Sequence, residues 1–368
     1  MAETKTYEPG AHPAMPAPMA TSGVVKWTKD NLFSSPLNVA ITFVIAYLLF
    51  KIIPPMLDWF VFDAVVDATS RNECEAKGDG ACWAVIKIRF SQFIYGFYPE
   101  NLRWRVNLAF ILLFVALVPV LFDNVPHRNK ALVFSALFPI IAFFLLWGGL
   151  GLEPVESAKF GGFMLTVTIG VAGIVLSLPL GILLALGRQS SMPLIHWICV
   201  IFIEFIRGVP LITLLFIAST LLNYFLPPGT NFDLLLRVII MVTLFAAAYM
   251  AEVIRGGLAA IPKGQYEAAD AMGLKYWQAT RLIIMPQALK ISIPGIVNTF
   301  IGLYKDTTLV LIIGLLDPLG LGQSVLADSK WQGLSDEIYV FIAVGFFLSC
   351  FAMSRYSLYL EKKLHTGH

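Results

Sequence analysis

One charged pattern occurs twice in this chain, as Glu204-x-x-Arg207-Gly208 and again as Glu252-x-x-Arg255-Gly256. An acid and a base three residues apart share one face of a helix. Each copy lies at an end of a long apolar stretch, where charge is costly and so faces a cavity, a partner or another helix. The pairs read equally well as gate or substrate contacts and as ties that lock helices together or anchor the membrane edge. Tyr249, just ahead of the second copy, could line the same path. A further polar group, Lys305-Asp306-Thr307-Thr308, follows Asn298 and Tyr304 inside another apolar stretch. A Lys–Asp neighbour pair at membrane depth is a functional candidate by default, and packing between subunits is its other reading. A ligand carrying both a positive and a negative group would need an acceptor for the one and a donor for the other. Asp306, Glu252, Lys305 and Arg255 could supply these, although sequence alone does not gather them around one cavity.

Other chemistries find little support. The chain has four cysteines, of which Cys199 and Cys350 lie in apolar segments and read as core residues. Cys74 and Cys82 lie in a polar stretch; facing an oxidising compartment they could close a short disulfide loop, and otherwise they are two free thiols. No Cys-x-x-Cys or histidine cluster suggests a metal site, so none is expected. No G-x-x-x-x-G-K-[ST] phosphate loop, H-E-x-x-H helix or G-x-S-x-G elbow appears, which sets aside ATP binding by this chain and an intramembrane enzyme. A net charge of +2 without a basic run argues against nucleic acid.

The segment from Gly256 to Leu289 is polar and punctuated. Pro262 and Gly264 break the helix that enters it. Gln265–Met272 then forms a short helix, and Gly273 suits the left-handed position that stops one. A second amphipathic helix is expected from about Lys275 to Ile284, with Pro286 ending it. The result is a helix–turn–helix lying across one membrane surface.

These residues are positioned by membrane spans. Of 368 residues, 58% are hydrophobic and 14% charged, with mean hydropathy +0.76; soluble domains sit near half apolar and a quarter charged. On the criterion of roughly 20 apolar residues per span, about eight helices are expected. They lie near Leu37–Phe60, Val106–Phe122, Ala131–Leu150, Phe163–Leu186, Gly208–Phe225, Phe232–Ala251, Ile291–Leu315 and Ile338–Leu358. Pro193–Ile206, too short to span, reads as a helix near the inner interface. Trp59, Trp104, Trp147 and Trp197 fall near span ends as interfacial belt residues. Gly161, Gly162, Gly170, Gly173 and Gly181 read as close-packing positions.

Lysine and arginine set the orientation. With the C-terminus inside, the inner side of the last five spans carries Arg188, Arg255, Lys263, Lys275, Arg281, Lys290, Arg355, Lys362 and Lys363, against Lys159, Arg237 and Lys330 outside. Eight spans put both termini in the cytoplasm. The loop Val61–Arg105 then falls outside with six basic residues, against the rule, which weakens for loops this long. The polar first 36 residues hold no apolar signal-peptide core, so no cleavage is expected.

Glu267-Ala268-Ala269, then Gly273, then Ile283-Ile284-Met285-Pro286 resemble the E-A-A loop of ABC importer permeases, with Met285 where leucine is usual. Pro262-x-Gly264-Gln265 ahead of Glu267 resembles the polar amino-acid branch. So do Glu204-x-x-Arg207-Gly208-Val209-Pro210, with Val209 in place of threonine, and Lys305-x-Thr307-Thr308, with Thr308 in place of serine. The resemblance covers about residues 160–365, and the N-terminal addition resembles the longer permease of proteobacterial general L-amino-acid importers. It implies a five-helix permease domain over residues 151–368 with its E-A-A loop at 256–290. It further implies a cytoplasmic tail over 1–36 and a three-helix extension over 37–150 with a large periplasmic loop at 61–105. Function follows as half of the pathway of an ATP-driven, binding-protein-dependent amino-acid importer of the bacterial inner membrane. Gln265, Glu267, Ala268, Ala269, Gly273 and Pro286 would couple it to the ATPase. Its partners would be a second permease, two ATPase subunits that bind ATP and magnesium, a periplasmic amino-acid-binding protein and membrane lipid. The alternative is a stand-alone transporter or channel driven by an ion gradient through Glu252, Lys305 and Asp306.

Overall fold

A computed structural model describes residues 23–221, 224 and 232–364. The first part of the N-terminal tail and the far end of the expected fifth span, including Phe225, lie outside the described residues. All regular structure described is helical, apart from isolated bridges. The chain divides into two compact units, residues 1–66 with 74–82, and residues 67–73 with 83–368.

The first unit holds α1 (Gly23–Leu32) and α2 (Pro36–Leu57). Ser35 caps α2 by accepting from the Asn38 amide at 3.2 Å, and Pro36 stands at the first helical position, where its missing amide hydrogen is not needed. A wide π-turn, Asp58–Phe62, continues α2 to a 27-residue apolar run, and no residue of α2 is buried. The Val65 amide donates to Ala81 at 2.9 Å beside a Cys74–Cys82 disulfide, with Cys74 on α3 (Arg71–Lys77).

In the second unit, α4 (Ala84–Tyr95) precedes an antiparallel pair, α5 (Arg103–Leu121) and α6 (Arg128–Trp147). Next come α7 (Gly162–Arg188), α8 (Pro193–Gly208), α9 (Leu211–Phe216) and α10 (Leu234–Ala259). The chain then forms α11 (Lys263–Ala271), α12 (Tyr276–Ala279), α13 (Met285–Asp306), α14 (Pro318–Leu326) and α15 (Ser335–Leu364). Val106, Ala109 and Leu146 of the second and third spans share one core with Met164, Leu165 and Val242. These spans therefore pack with the C-terminal helices rather than apart from them. α10 runs through the centre with fourteen buried residues. Its neighbours approach closely: a Cβ on Gly181 would meet the Met250 side chain at 2.7 Å, and one on Gly257 would meet the Ala288 carbonyl at 2.6 Å. Small residues that admit a facing helix are how spans associate without a hydrophobic driving force.

Among the described residues, seven helices are long and apolar enough to span a membrane. α8 and the following helix, Leu211–Leu221, make an eighth if the bent pair is counted as one span, and they meet at 103°. Pro210 causes this, because a residue before proline is pushed out of the helical region, and Val209 sits at φ −106°, ψ 131°. Arg237 of α10 holds the second limb by donating to the Ala218 and Ser219 carbonyls at 3.3 and 2.8 Å.

Pro286 does not end a helix as the sequence suggested. A π-turn, Thr280–Ile284, carries α12 into α13 and puts Pro286 in the first turn of α13. There its fixed φ suits the first turn of α13. One helical run therefore extends from Tyr276 to Ile313.

Candidate functional site

The loop between the sixth and seventh spans starts where Pro262, at φ −58° and ψ 138°, turns the chain out of α10. α11 follows for nine residues and stops at Gly273, which takes the left-handed conformation with φ 72°. The Leu274 amide donates to Ala269 at 3.1 Å and the Gly273 amide to Asp270 at 2.9 Å. This pair of bonds satisfies carbonyls that a helix end leaves open. The Lys275 amide then donates to Gln278 Oε1 at 3.0 Å and starts α12. Gln287 Nε2 bonds Gln265 Oε1 at 3.1 Å, tying α11 to the root of α13.

Both roots sit on one apolar core that includes Ile254, Leu258, Ile261, Ile284, Met285 and Ala288. α11 is thus held as a body with one side turned outward. Ala269 is fully buried, while Glu267 and Ala268 are exposed. Around Gly273 stand Met272, Tyr276 and Trp277, exposed by 79, 59 and 66%. They form an apolar cluster on the exposed side of the loop. The sequence reading passed over these three, although large apolar residues flanking a stop glycine in a polar loop were the available signal.

Behind the loop the two Glu-x-x-Arg copies come together. Glu252 is the hub: Arg255 reaches it at 3.0 Å, Arg188 at 2.8 Å and Arg207 at 3.6 Å. Arg188 also bonds Glu204 at 2.8 Å. The Arg207 guanidinium lies 5.5 Å from the centre of the Tyr249 ring, which rests against Phe245. His196 Nδ1 meets the Arg188 carbonyl at 2.6 Å. Three helices, α7, α8 and α10, are therefore joined at one end by three guanidinium groups and two carboxylates. Arg188 was legible only as an orientation charge, because nothing in a linear sequence pairs it with residues 16 and 64 positions later. The cluster can lock the helix ends, and its one surplus positive charge can face an anion.

The Lys305 group lies elsewhere. Gly173 is flanked by Leu303 and Val242, and Ser292 Oγ donates to the Val253 carbonyl at 3.2 Å. This register of the antiparallel α13 and α10 sets Asp306 level with Ile239, about 13 residues and so about 20 Å along the helix from Glu252. Lys305 and Asp306 are not brought to Glu252 and Arg255. Thr307 and Thr308 donate to the Tyr304 and Lys305 carbonyls of their own helix at 2.8 and 2.9 Å. Among the described residues neither Lys305 nor Asp306 forms an ion pair. Next along the chain, Asp317 caps α14 by accepting from the Gly320 amide at 2.9 Å. It is fully buried, its Oδ2 has no hydrogen-bond partner among the described residues, and burial pushes its pKa up to about 6.

Comparison with known proteins agrees with this architecture. The family described as binding-protein-dependent transport system inner membrane component matches residues 177–366. The glutamate/glutamine/aspartate/asparagine transport system permease protein BztC of Rhodobacter capsulatus is 50% identical over 96% of each chain. The inner membrane amino-acid ABC transporter permease protein YhdY of Escherichia coli is 47% identical over 97% of each. A shorter relative, the probable glutamine ABC transporter permease protein GlnP of Bacillus subtilis, is 32% identical over 54% of this chain and 90% of its own. The chain belongs to the binding-protein-dependent inner membrane transport components, and among them it is an amino-acid ABC importer permease.

Proposed function

We propose that this permease is driven through the loop at residues 256–290, seated in a groove on a separate ATPase. The carrying observation is that α11 is exposed along Glu267 and Ala268 yet fixed at both roots to the spans. A closing ATPase moves such a helix as a rigid body. Ala268 permits close approach, Glu267 accepts a basic side chain of the partner, and Met272, Tyr276 and Trp277 supply apolar contact. Gln265 and Pro286 secure the two roots, Ala269 packs beneath, and Gly273 ends the helix where the chain must turn back.

ATP and magnesium belong to two ATPase subunits on the cytoplasmic side, where both termini of this chain also lie. A second permease forms the other half of the pathway, and a periplasmic binding protein delivers the amino acid. The names of BztC and YhdY make amino acids the substrates to test, beginning with glutamate, glutamine, aspartate and asparagine. Residues 151–368 serve as the permease domain, since the family match falls within them and a complete shorter relative corresponds to about half of this chain. Residues 37–150 are an addition to it. In the pathway the Glu252 cluster, with Glu204, Arg207, Arg255 and Tyr249, serves the inner end. Lys305, Asp306, Thr307 and Thr308 serve a deeper level.

The test is the assembled importer in liposomes. Glu267→Lys should leave the chain inserted and lower ATP-dependent amino-acid uptake at least tenfold relative to ATP hydrolysed. Full uptake by that variant would remove the coupling role.

A further inference from the structure

α2 carries a charge where a lipid-facing helix should have none. Its apolar run extends from Pro36 to Phe62, no residue of α2 is buried, and large side chains such as Phe43, Tyr47 and Phe50 are exposed by more than 60%. Lys51 stands in the middle of this run. Trp59 marks one end, since tryptophan settles at the membrane interface. Lys51 is eight residues, about 12 Å, inside that point, and about 22 Å from Pro36, in a hydrocarbon layer about 30 Å thick.

A lysine near an interface escapes by reaching along its helix to water. Lys51 does not take that route. Its ammonium lies 5.9 Å from the centre of the Tyr47 ring, one turn back toward the helix N-terminus and so away from the Trp59 end. Helical side chains lean that way by construction. Within its own helix the ammonium meets this ring face and no carboxylate. A ring face offsets part of the lost hydration, and a carboxylate at the same depth would offset far more.

We propose that the Lys51 face of α2, with Tyr47 and Leu48 beside it, docks against a transmembrane helix of another subunit of the importer, one that presents an Asp or Glu near mid-bilayer. This rests on the importer reading in one respect, that the chain works within a membrane complex. Lipid alone suits the apolar side chains and leaves Lys51 unbalanced, so the charge selects a protein occupant. The added first span would then specify the partner permease through one buried ion pair.

The experiment is photocrosslinking in native membranes with the intact importer. A benzophenone amino acid replaces Leu48, on the Lys51 face, or Phe50, off it. The Leu48 probe should form an adduct with a different integral membrane subunit, within a span peptide holding an acidic residue, and the Phe50 probe should form lipid adducts. Combining the Leu48 probe with Lys51→Met should lower the protein adduct at least fivefold, and Lys51→Arg should restore it. Insertion of each variant is read on the same blot. Lipid adducts alone, no adduct, an adduct to another helix of the same chain, or one to a second copy would each overturn the proposal. Adduct formation needs no ATP, so it fails independently of the Glu267 coupling assay.

Discussion

At the scale of the residue, Asp317 is a carboxyl set against its surroundings, apart from the intramembrane charges that drew the eye. Its carboxyl is fully buried, with one oxygen capping α14 and the other unbonded. Burial disfavours the charged form, raising the value from 3.8 to about 6 against the opposing pull of the Gly320 and Leu319 amides. A group raised on folding contributes stability in full below its unfolded value and loses it as pH climbs through the folded one. Asp317 thus weakens the fold between about pH 4 and 6, by about 3 kcal/mol in all. Asp317→Asn keeps the oxygen that caps α14 and cannot ionise. In detergent melts the variant should unfold a few degrees above wild type at pH 7.5, and the gap should vanish by pH 4. A gap constant with pH would contradict this. Nothing in the string Leu316-Asp317-Pro318 reveals that burial; an acid before a proline reads as a helix cap and no more. The Glu-x-x-Arg copies were visible because their spacing repeats, whereas their meeting at Arg188 depended on three helices converging.

At the scale of the element, the loop was the most legible part. Proline, glycine and a short polar helix are local signals, so Gln265–Met272 and the stop at Gly273 needed no tertiary knowledge. Gly273 holds φ 72° with no atom near a would-be Cβ, so any substitution acts through backbone strain alone. Gly273→Val should destabilise the end of α11 by about 1 kcal/mol. Trypsin cleavage after Lys275 should then quicken about fivefold while the spans stay protected. Unchanged cleavage would mean that the stop is carried by something else. Pro286 was misread for an instructive reason. Proline breaks a helix when it falls in the interior, and here a π-turn just before it places Pro286 in the first turn of the next helix instead. Pro210 was read only as part of a motif, but it stands at the 103° bend between α8 and the helix after it.

At the scale of the whole molecule, composition gave the class and hydropathy gave most spans, because the bilayer imposes length and polarity from outside. Packing among spans was less visible. Lipid-facing and helix-facing surfaces are both apolar, so the second and third spans could not be assigned to the core that holds Val106 and Met164. Orientation rests on charge asymmetry and on an even number of crossings. Single cysteines introduced at Thr28 and beyond Leu364 should react with an impermeant maleimide only in inside-out vesicles. One introduced at Asp67 should react only in right-side-out vesicles. Labelling of Thr28 and Asp67 from the same side would break the eight-crossing topology.

The unbroken helical run from Tyr276 to Ile313 has a mechanical corollary. It bears the exposed Tyr276 and Trp277 at one extremity and Lys305-Asp306 toward the other, and midway Ser292 abuts Gly257. If the coupling proposed above acts on Tyr276 and Trp277, a tilt of the run about that contact would carry its two ends in opposite directions. Had proline severed it as first read, that swing would have been lost at the joint.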